Sequence, residues 1–169
     1  MKNIIFFAAL MLSFIGQAAA QDLSSVDFRL RDIDGKDFSF QKYLAEVREA
    51  GEKGAVLISF WAMWCEPCKQ EMKAFVPIFE KYKDRNFHLL AINNDNPRSL
   101  AKVKAYVRAQ KLPYQFLLDP NSEVFKKLNG QSLPYSLMLD QDGRLIEKRT
   151  GYFAGDEKEI EEDIIRILE

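Results

Sequence analysis

Ala55-Val56-Leu57-Ile58-Ser59-Phe60-Trp61-Ala62-Met63-Trp64-Cys65-Glu66-Pro67-Cys68 is the stretch on which the fold turns. Its first seven residues are almost wholly apolar and rich in β-formers, the pattern of a central strand covered on both faces. Behind the cysteines, the segment from Lys69 to Lys83 carries apolar residues at helical spacing, with Cys68, Met72, Phe75, Val76 and Phe79 along one stripe. Two thiols therefore stand where a buried strand gives way to a helix, the first of them at the helix N-terminus. Unpaired N–H groups and the positive end of the helix dipole stabilise a thiolate there. A thiolate with a second thiol one turn away can open another molecule's disulfide and then be released by its neighbour.

Cys65 and Cys68 are the only cysteines in the 169 residues. As a structural staple the pair makes little sense. Closing a loop of about four residues removes only about 2 kcal/mol of chain entropy, and the tight geometry adds strain. As a metal half-site it lacks companions, since zinc usually takes four ligands and the chain offers no third cysteine and one histidine, His88. No metal site is expected. A redox-active pair is the reading that fits, with Cys65 as the nucleophile reached by solvent and Cys68, a turn deeper, as the resolving thiol.

The N-terminus supplies the compartment. Lys2, an apolar run from Ile4 to Ile15, and Ala18-Ala19-Ala20 follow the order of a secretory signal peptide, with cleavage expected after Ala20. The alternative is a retained N-terminal membrane anchor, although the apolar run is short for one. Residues 21–169 then form one domain, expected as a monomer in the periplasm or another extracytoplasmic space. The formal net charge of −1 and the lack of a basic cluster argue against a nucleic-acid partner.

Along the mature chain, Val26–Leu30 and Asp37–Phe40 flank Asp34-Gly35-Lys36 as a hairpin, and Gln41–Ala50 reads as a helix ending at Gly51. Pro77 interrupts the helix after the cysteines and is expected to kink it. Phe87–Asn93 is a strand, and a helix opens at Asn96-Pro97 and runs to about Gln110. A strand at Tyr114–Leu118 and a small helix at Asn121–Leu128 follow. Strands at Tyr135–Leu139 and Leu145–Thr150 turn at Asp142-Gly143, and Asp156–Leu168 closes the chain as an amphipathic helix. This is an α/β chain with a central mixed sheet flanked by helices.

Phe60–Cys68 resembles the active-site strand and turn of the thioredoxin superfamily. The hairpin around Asp34-Gly35-Lys36, Leu90-Ala91-Ile92-Asn93, Leu117-Leu118-Asp119-Pro120, Leu133-Pro134, Leu139-Asp140 and Asp142-Gly143 extend the likeness in order. The set is similar to the exported TlpA/ResA-like thiol–disulfide reductases and covers nearly all of the mature chain. The resemblance implies a thioredoxin-like fold with an added N-terminal β-hairpin. It implies reduction of disulfides in exported proteins, with electrons from a membrane thiol donor of the DsbD/CcdA type. No cofactor beyond the Cys65–Cys68 disulfide is called for. The alternatives are an oxidase or isomerase running the same chemistry in reverse, or a copper-delivery protein.

Several residues take roles from this likeness. Glu71, three residues after Cys68, matches a family glutamate implicated in setting cysteine acidity; the bland alternative is a solvated surface carboxylate. Pro134 matches the family's cis-proline, and the backbone of Leu133 would pair with an extended target segment beside Cys65. Trp64 would flank the disulfide, while Trp61 packs in the core. From chemistry alone, Glu66 opposes a Cys65 thiolate by like-charge repulsion, or merely favours the first helical turn. Strong oxidants such as DsbA have a thiol pKa of roughly 3.5 and a potential near −120 mV, so Glu66 points toward a reductant. Pro67 suits the first turn, where its missing N–H costs nothing.

Three features depart from relatives. Thioredoxins proper have a buried Asp at the position of Ser59, and many relatives have a helix proline where Lys73 stands. The Gly-Val-Tyr-Gly-Ala-Pro-Glu segment of the specialised cytochrome c maturation reductases is absent, with Asn129–Pro134 in its place. Cytochrome c maturation is therefore only one of the possible settings.

Overall fold

Asp32 closes the first turn: its Oδ1 accepts hydrogen bonds from the N–H groups of Asp34 (2.8 Å) and Lys36 (2.9 Å). Gly35, at φ +89°, supplies the left-handed conformation that this tight reversal needs. The turn folds β1 (Arg29–Asp32) onto β2 (Asp37–Ser39) in an antiparallel pair. The first strand starts later than its apolar run suggests and continues to Asp32, because the side-chain turn begins only there. The computed structural model describes residues 22–169, so the expected signal peptide at 1–20 lies outside the described residues.

The other elements follow the sequence pattern closely. They are α1 (Phe40–Ala50), β3 (Ala55–Trp61), α2 (Glu66–Tyr82), β4 (Phe87–Asn93), α3 (Leu100–Gln110) and β5 (Gln115–Leu118). Then come α4 (Glu123–Lys127), β6 (Tyr135–Asp140), β7 (Leu145–Thr150) and α5 (Glu157–Leu168). The strands make one sheet in the order β2-β1-β5-β4-β3-β6-β7. β3 pairs parallel with β4 and antiparallel with β6, which makes it the centre of a mixed sheet. α2 runs through Pro77 as a single helix and is followed by a 3₁₀ turn, Lys83–Arg85. Among the described residues, no helix is long and apolar enough to cross a membrane.

Every residue of β3 is buried, and its alternation divides the core in two. Val56, Ile58 and Phe60 pack with Phe40, Leu44 and Val47 of α1 on one face. Leu57 and Trp61 pack with Met72 and Phe75 of α2, Val103 of α3, and Ile160 and Ile164 of α5 on the other. Each such side chain contributes about 1.5–3 kcal/mol on burial. Ser59 shares the parity of Leu57 and Trp61, so the one polar residue of the strand faces α2. That parity builds the site.

Candidate active site

Cys65 caps α2. Its Sγ accepts from the N–H of Cys68 at 3.3 Å, which uses one of the helix's unpaired donors on a sulfur atom. Glu66 and Pro67 occupy the first turn, where proline loses no hydrogen bond. Cys65 and Cys68 form a disulfide, with Cα atoms 5.3 Å apart. The cap explains why the helix starts at Glu66, before the periodic segment at Lys69.

The turn that presents the pair is fastened from two sides. The N–H of Cys65 donates to the carbonyl of Ala62 (3.1 Å), and the N–H of Met63 donates to Asp95 Oδ2 (2.7 Å). Asn93 in turn donates through Nδ2 to the same Asp95 oxygen (2.8 Å), and its Oδ1 accepts from the N–H of Asp95 (3.1 Å). Neither Asn93 nor Asp95 stands out in the sequence as a site residue. The signal was an Asn-Asn-Asp-Asn run at the end of a central strand, where loops carry function.

Two expectations about the cysteines change. Cys65 is only 3 % exposed, so in the disulfide form solvent barely reaches it; Trp64 beside it is 74 % exposed and takes the outer position. Cys68 is fully buried. Glu66 does not stand as a free negative charge next to Cys65. Lys69 Nζ lies 2.6 Å from its carboxylate, and this hydrogen bond holds the Glu66 carboxyl below its usual range and raises the Lys69 ammonium. Glu66 is exposed and Lys69 half-buried, so the field of the Glu66 charge on Cys65 is weakened both by neutralisation and by screening.

Glu71 is not a surface carboxylate. It is buried at 1 % exposure, and Ser59 Oγ donates a 2.8 Å hydrogen bond to its Oε2. Burial pushes its carboxyl up to about 8, against the opposing effect of the Ser59 hydrogen bond, with the charge of Asp156 adding a further rise. The serine that stands where thioredoxins carry their buried Asp therefore touches a carboxylate supplied from the helix instead. At i and i+3 on α2, Cys68 and Glu71 lie on the same face, toward β3.

Pro134 follows a cis peptide bond from Leu133. Phe60, near the end of β3, is registered with Tyr135, at the start of β6, so this loop lies at the same end of the sheet as the cysteines. The Pro134 carbonyl accepts from the N–H of Gly151 (2.8 Å). Among the described residues, no backbone hydrogen bond engages Leu133. The ring nitrogens of the half-buried His88 are hydrogen-bond partners of Tyr43 Oη (3.0 Å) and Asn86 Oδ1 (2.8 Å).

A mixed sheet with an N-terminal hairpin, a helix capped by a Cys-x-x-Cys disulfide and a cis-proline loop at the same end define a TlpA/ResA-like protein of the thioredoxin superfamily. More particularly, the chain belongs to the AhpC/TSA family, whose pattern matches residues 23–148.

Among curated proteins, it is 28% identical over 100 residues to the thiol-disulfide oxidoreductase ResA of Bacillus thuringiensis subsp. konkukian, covering 59% of this chain and 52% of that one. It is 26% identical over 127 residues to the sporulation thiol-disulfide oxidoreductase A of Bacillus subtilis, covering 73% of this chain and 72% of that one. The chain thus spans about half the length of the ResA relative. The fold is shared with a Chlorobium tepidum crystal structure described as a thiol:disulfide interchange protein DsbE. That match has a TM-score of 0.73 at 23% identity and covers 85% of this chain and 94% of that one.

Proposed function

We propose that this chain is an exported thiol–disulfide oxidoreductase that reduces disulfides of extracytoplasmic proteins by cycling Cys65 and Cys68. The observation that carries the reading is a helix-capping cysteine pair followed, one turn on, by a carboxylate buried against Ser59. A buried carboxyl with a raised pKa is suited to exchanging a proton near neutral pH.

The steps balance as follows. In the reduced protein, the Cys65 thiolate attacks one sulfur of a target disulfide. The target S–S bond breaks, its other sulfur leaves as a thiolate that takes a proton from water, and a Cys65–target disulfide forms. Cys68 then gives its proton to the Glu71 carboxylate and attacks Cys65 Sγ. The Cys65–target bond breaks, the second target sulfur leaves, and the Cys65–Cys68 disulfide is restored. Two electrons pass from the pair to the target. A membrane thiol donor of the DsbD/CcdA type would return them, because thiols are not buffered outside the membrane. The free backbone of Leu133 beside Pro134 would hold the target as an added strand.

One observation favours a second reading. Because Lys69 neutralises Glu66, the restraint on the Cys65 thiolate is weaker than Glu66 alone suggests, which moves the pair toward an oxidase or isomerase. The reduction potential separates the two. A reductase requires a value well below roughly −200 mV, and a value near that of DsbA would overturn the reductase in favour of the oxidase. Partner identity is tested by expressing Cys68→Ser with its N-terminal segment and recovering mixed disulfides. A broad set of exported proteins indicates a general reductase, and apocytochromes indicate haem attachment.

A further inference from the structure

Glu71 is buried at the base of the cysteine helix's first turns, yet it lines a cavity of about 190 Å³. The walls of that cavity come from Arg149 and Thr150 at the end of β7, Tyr152 in the following turn, and Asp156, Glu159 and Ile160 at the start of α5. Thr150 and Glu159 are exposed, so the cavity reaches the surface. It is polar and stays shaped by fixed partners. Arg149 Nη2 is held 2.6 Å from Asp163 Oδ2, Tyr152 Oη donates to Glu157 Oε2 (2.7 Å), and Asp156 Oδ2 accepts from the N–H of Phe153 (2.8 Å).

This placement matters at one moment of the cycle. When Cys65 is joined to a protein target, the target covers Cys65 and the Leu133–Pro134 loop, and Cys68 must lose its proton just then. Water at the front is excluded at the step that needs a proton acceptor. We propose that Glu71 exchanges this proton with solvent through the cavity between β7 and α5, a route separate from the target-binding face. The inference rests on Glu71 serving as the base for Cys68. The proton moves from Cys68 Sγ to the Glu71 carboxylate and from there to water in the cavity, while the electron pair stays on Cys68 for attack on Cys65.

The groups facing Glu71 are consistent with such a route. Ser59 from β3 holds one carboxylate oxygen, Tyr114 lies on the β5 side, and Arg149, Tyr152, Asp156 and Glu159 surround the opening. Asp156 acts on Glu71 through its charge and raises its proton affinity, which makes the carboxylate a stronger acceptor for the Cys68 proton before it passes to water in the cavity.

The test fills the opening. Glu159→Phe places an apolar ring at the mouth from an exposed helical position, where the fold tolerates it. Resolution of the mixed disulfide is followed by acid quench and thiol labelling, with insulin as a protein target and oxidised glutathione as a small one that leaves the front open to water. The expected result is a slowing of about tenfold or more with insulin and less than about twofold with glutathione, within the range that proton transfer contributes. Equal slowing on both, or none on either, overturns the route.

Asp156→Asn, which keeps an acceptor for Phe153, is expected to move the pH profile of resolution with insulin to lower pH; an unmoved profile also counts against the route. Glu71→Gln distinguishes the two levels. If it resolves insulin adducts as fast as the native chain, the base itself is lost and the functional reading fails. If it is slow while Glu159→Phe is not, only the route fails.

Discussion

Ser59 Oγ donates a 2.8 Å hydrogen bond to Glu71 Oε2, joining the central strand to the second turn of the cysteine helix in the buried interior. Twelve residues separate the two in sequence. The bond puts the only polar residue of an otherwise apolar strand against the only buried carboxylate of α2. Most of the behaviour expected of this protein follows from how that pair holds or releases a proton.

Glu71 makes stability depend on pH. In the folded protein its carboxyl titrates at about 8, and in the unfolded chain near 4.5. Between these values unfolding releases a proton, so stability is full below about 4.5, falls as pH rises, and levels off above about 8. The loss is on the order of a few kcal/mol. Glu71→Gln keeps an oxygen for Ser59 and removes the titration, so its stability should be nearly flat across this window. Urea unfolding of the oxidised proteins at several pH values checks this, and parallel curves would return the pH dependence to other groups.

Ser59→Ala removes a donor that favours the ionised carboxylate. Glu71 should then hold its proton to higher pH, and alkylation of Cys68 in the reduced protein should shift in the same direction. The cost in stability is expected at about 1–3 kcal/mol, the range for leaving a buried polar group without its partner. Thiol labelling against pH, with Ser59→Thr restoring the hydroxyl, separates the electrostatic effect from a packing defect.

The Glu66–Lys69 pair sets a smaller adjustment. Lys69→Ala frees the Glu66 charge beside Cys65, raises the thiol pKa, and should make the potential more negative. Glu66→Gln leaves the Lys69 cation and should move it the other way. Equilibration with dithiothreitol buffers measures both. Because Glu66 is exposed and Lys69 only half-buried, high salt should shrink the difference between the two variants. Shifts of the same sign in both would rule out charge as the cause.

Asp95 holds the active-site turn by its bond to the N–H of Met63. Asp95→Ala leaves that donor and the Asn93 amide without their acceptor, and should cost about 1–3 kcal/mol. Hydrogen exchange at the Met63 amide should quicken by at least about tenfold, while amides in β3 change only with global stability. Unchanged protection at Met63 would show that the turn is held by its other contacts.

What was legible in the sequence is what neighbouring residues decide among themselves. The apolar run of β3, the periodic face of α2, the proline in its first turn and the cysteine at its cap follow from local spacing and from the unpaired donors of a helix end. The order of strands and helices was readable for the same reason, while several edges moved: the hairpin, where a side chain of Asp32 rather than apolar alternation sets the turn, and the start of α2, which the Cys65 cap sets at Glu66.

Tertiary structure alone decided what surrounds each charge. Glu71 looks like any helix glutamate until β3 and α5 close over it and burial disfavours its ionised form. Cys65 is 3 % exposed in a turn that is tied to Asp95, 32 residues beyond Met63 in the chain. Burial and hydrogen bonding across distant segments set proton affinity, and those terms come into being only when the layers pack.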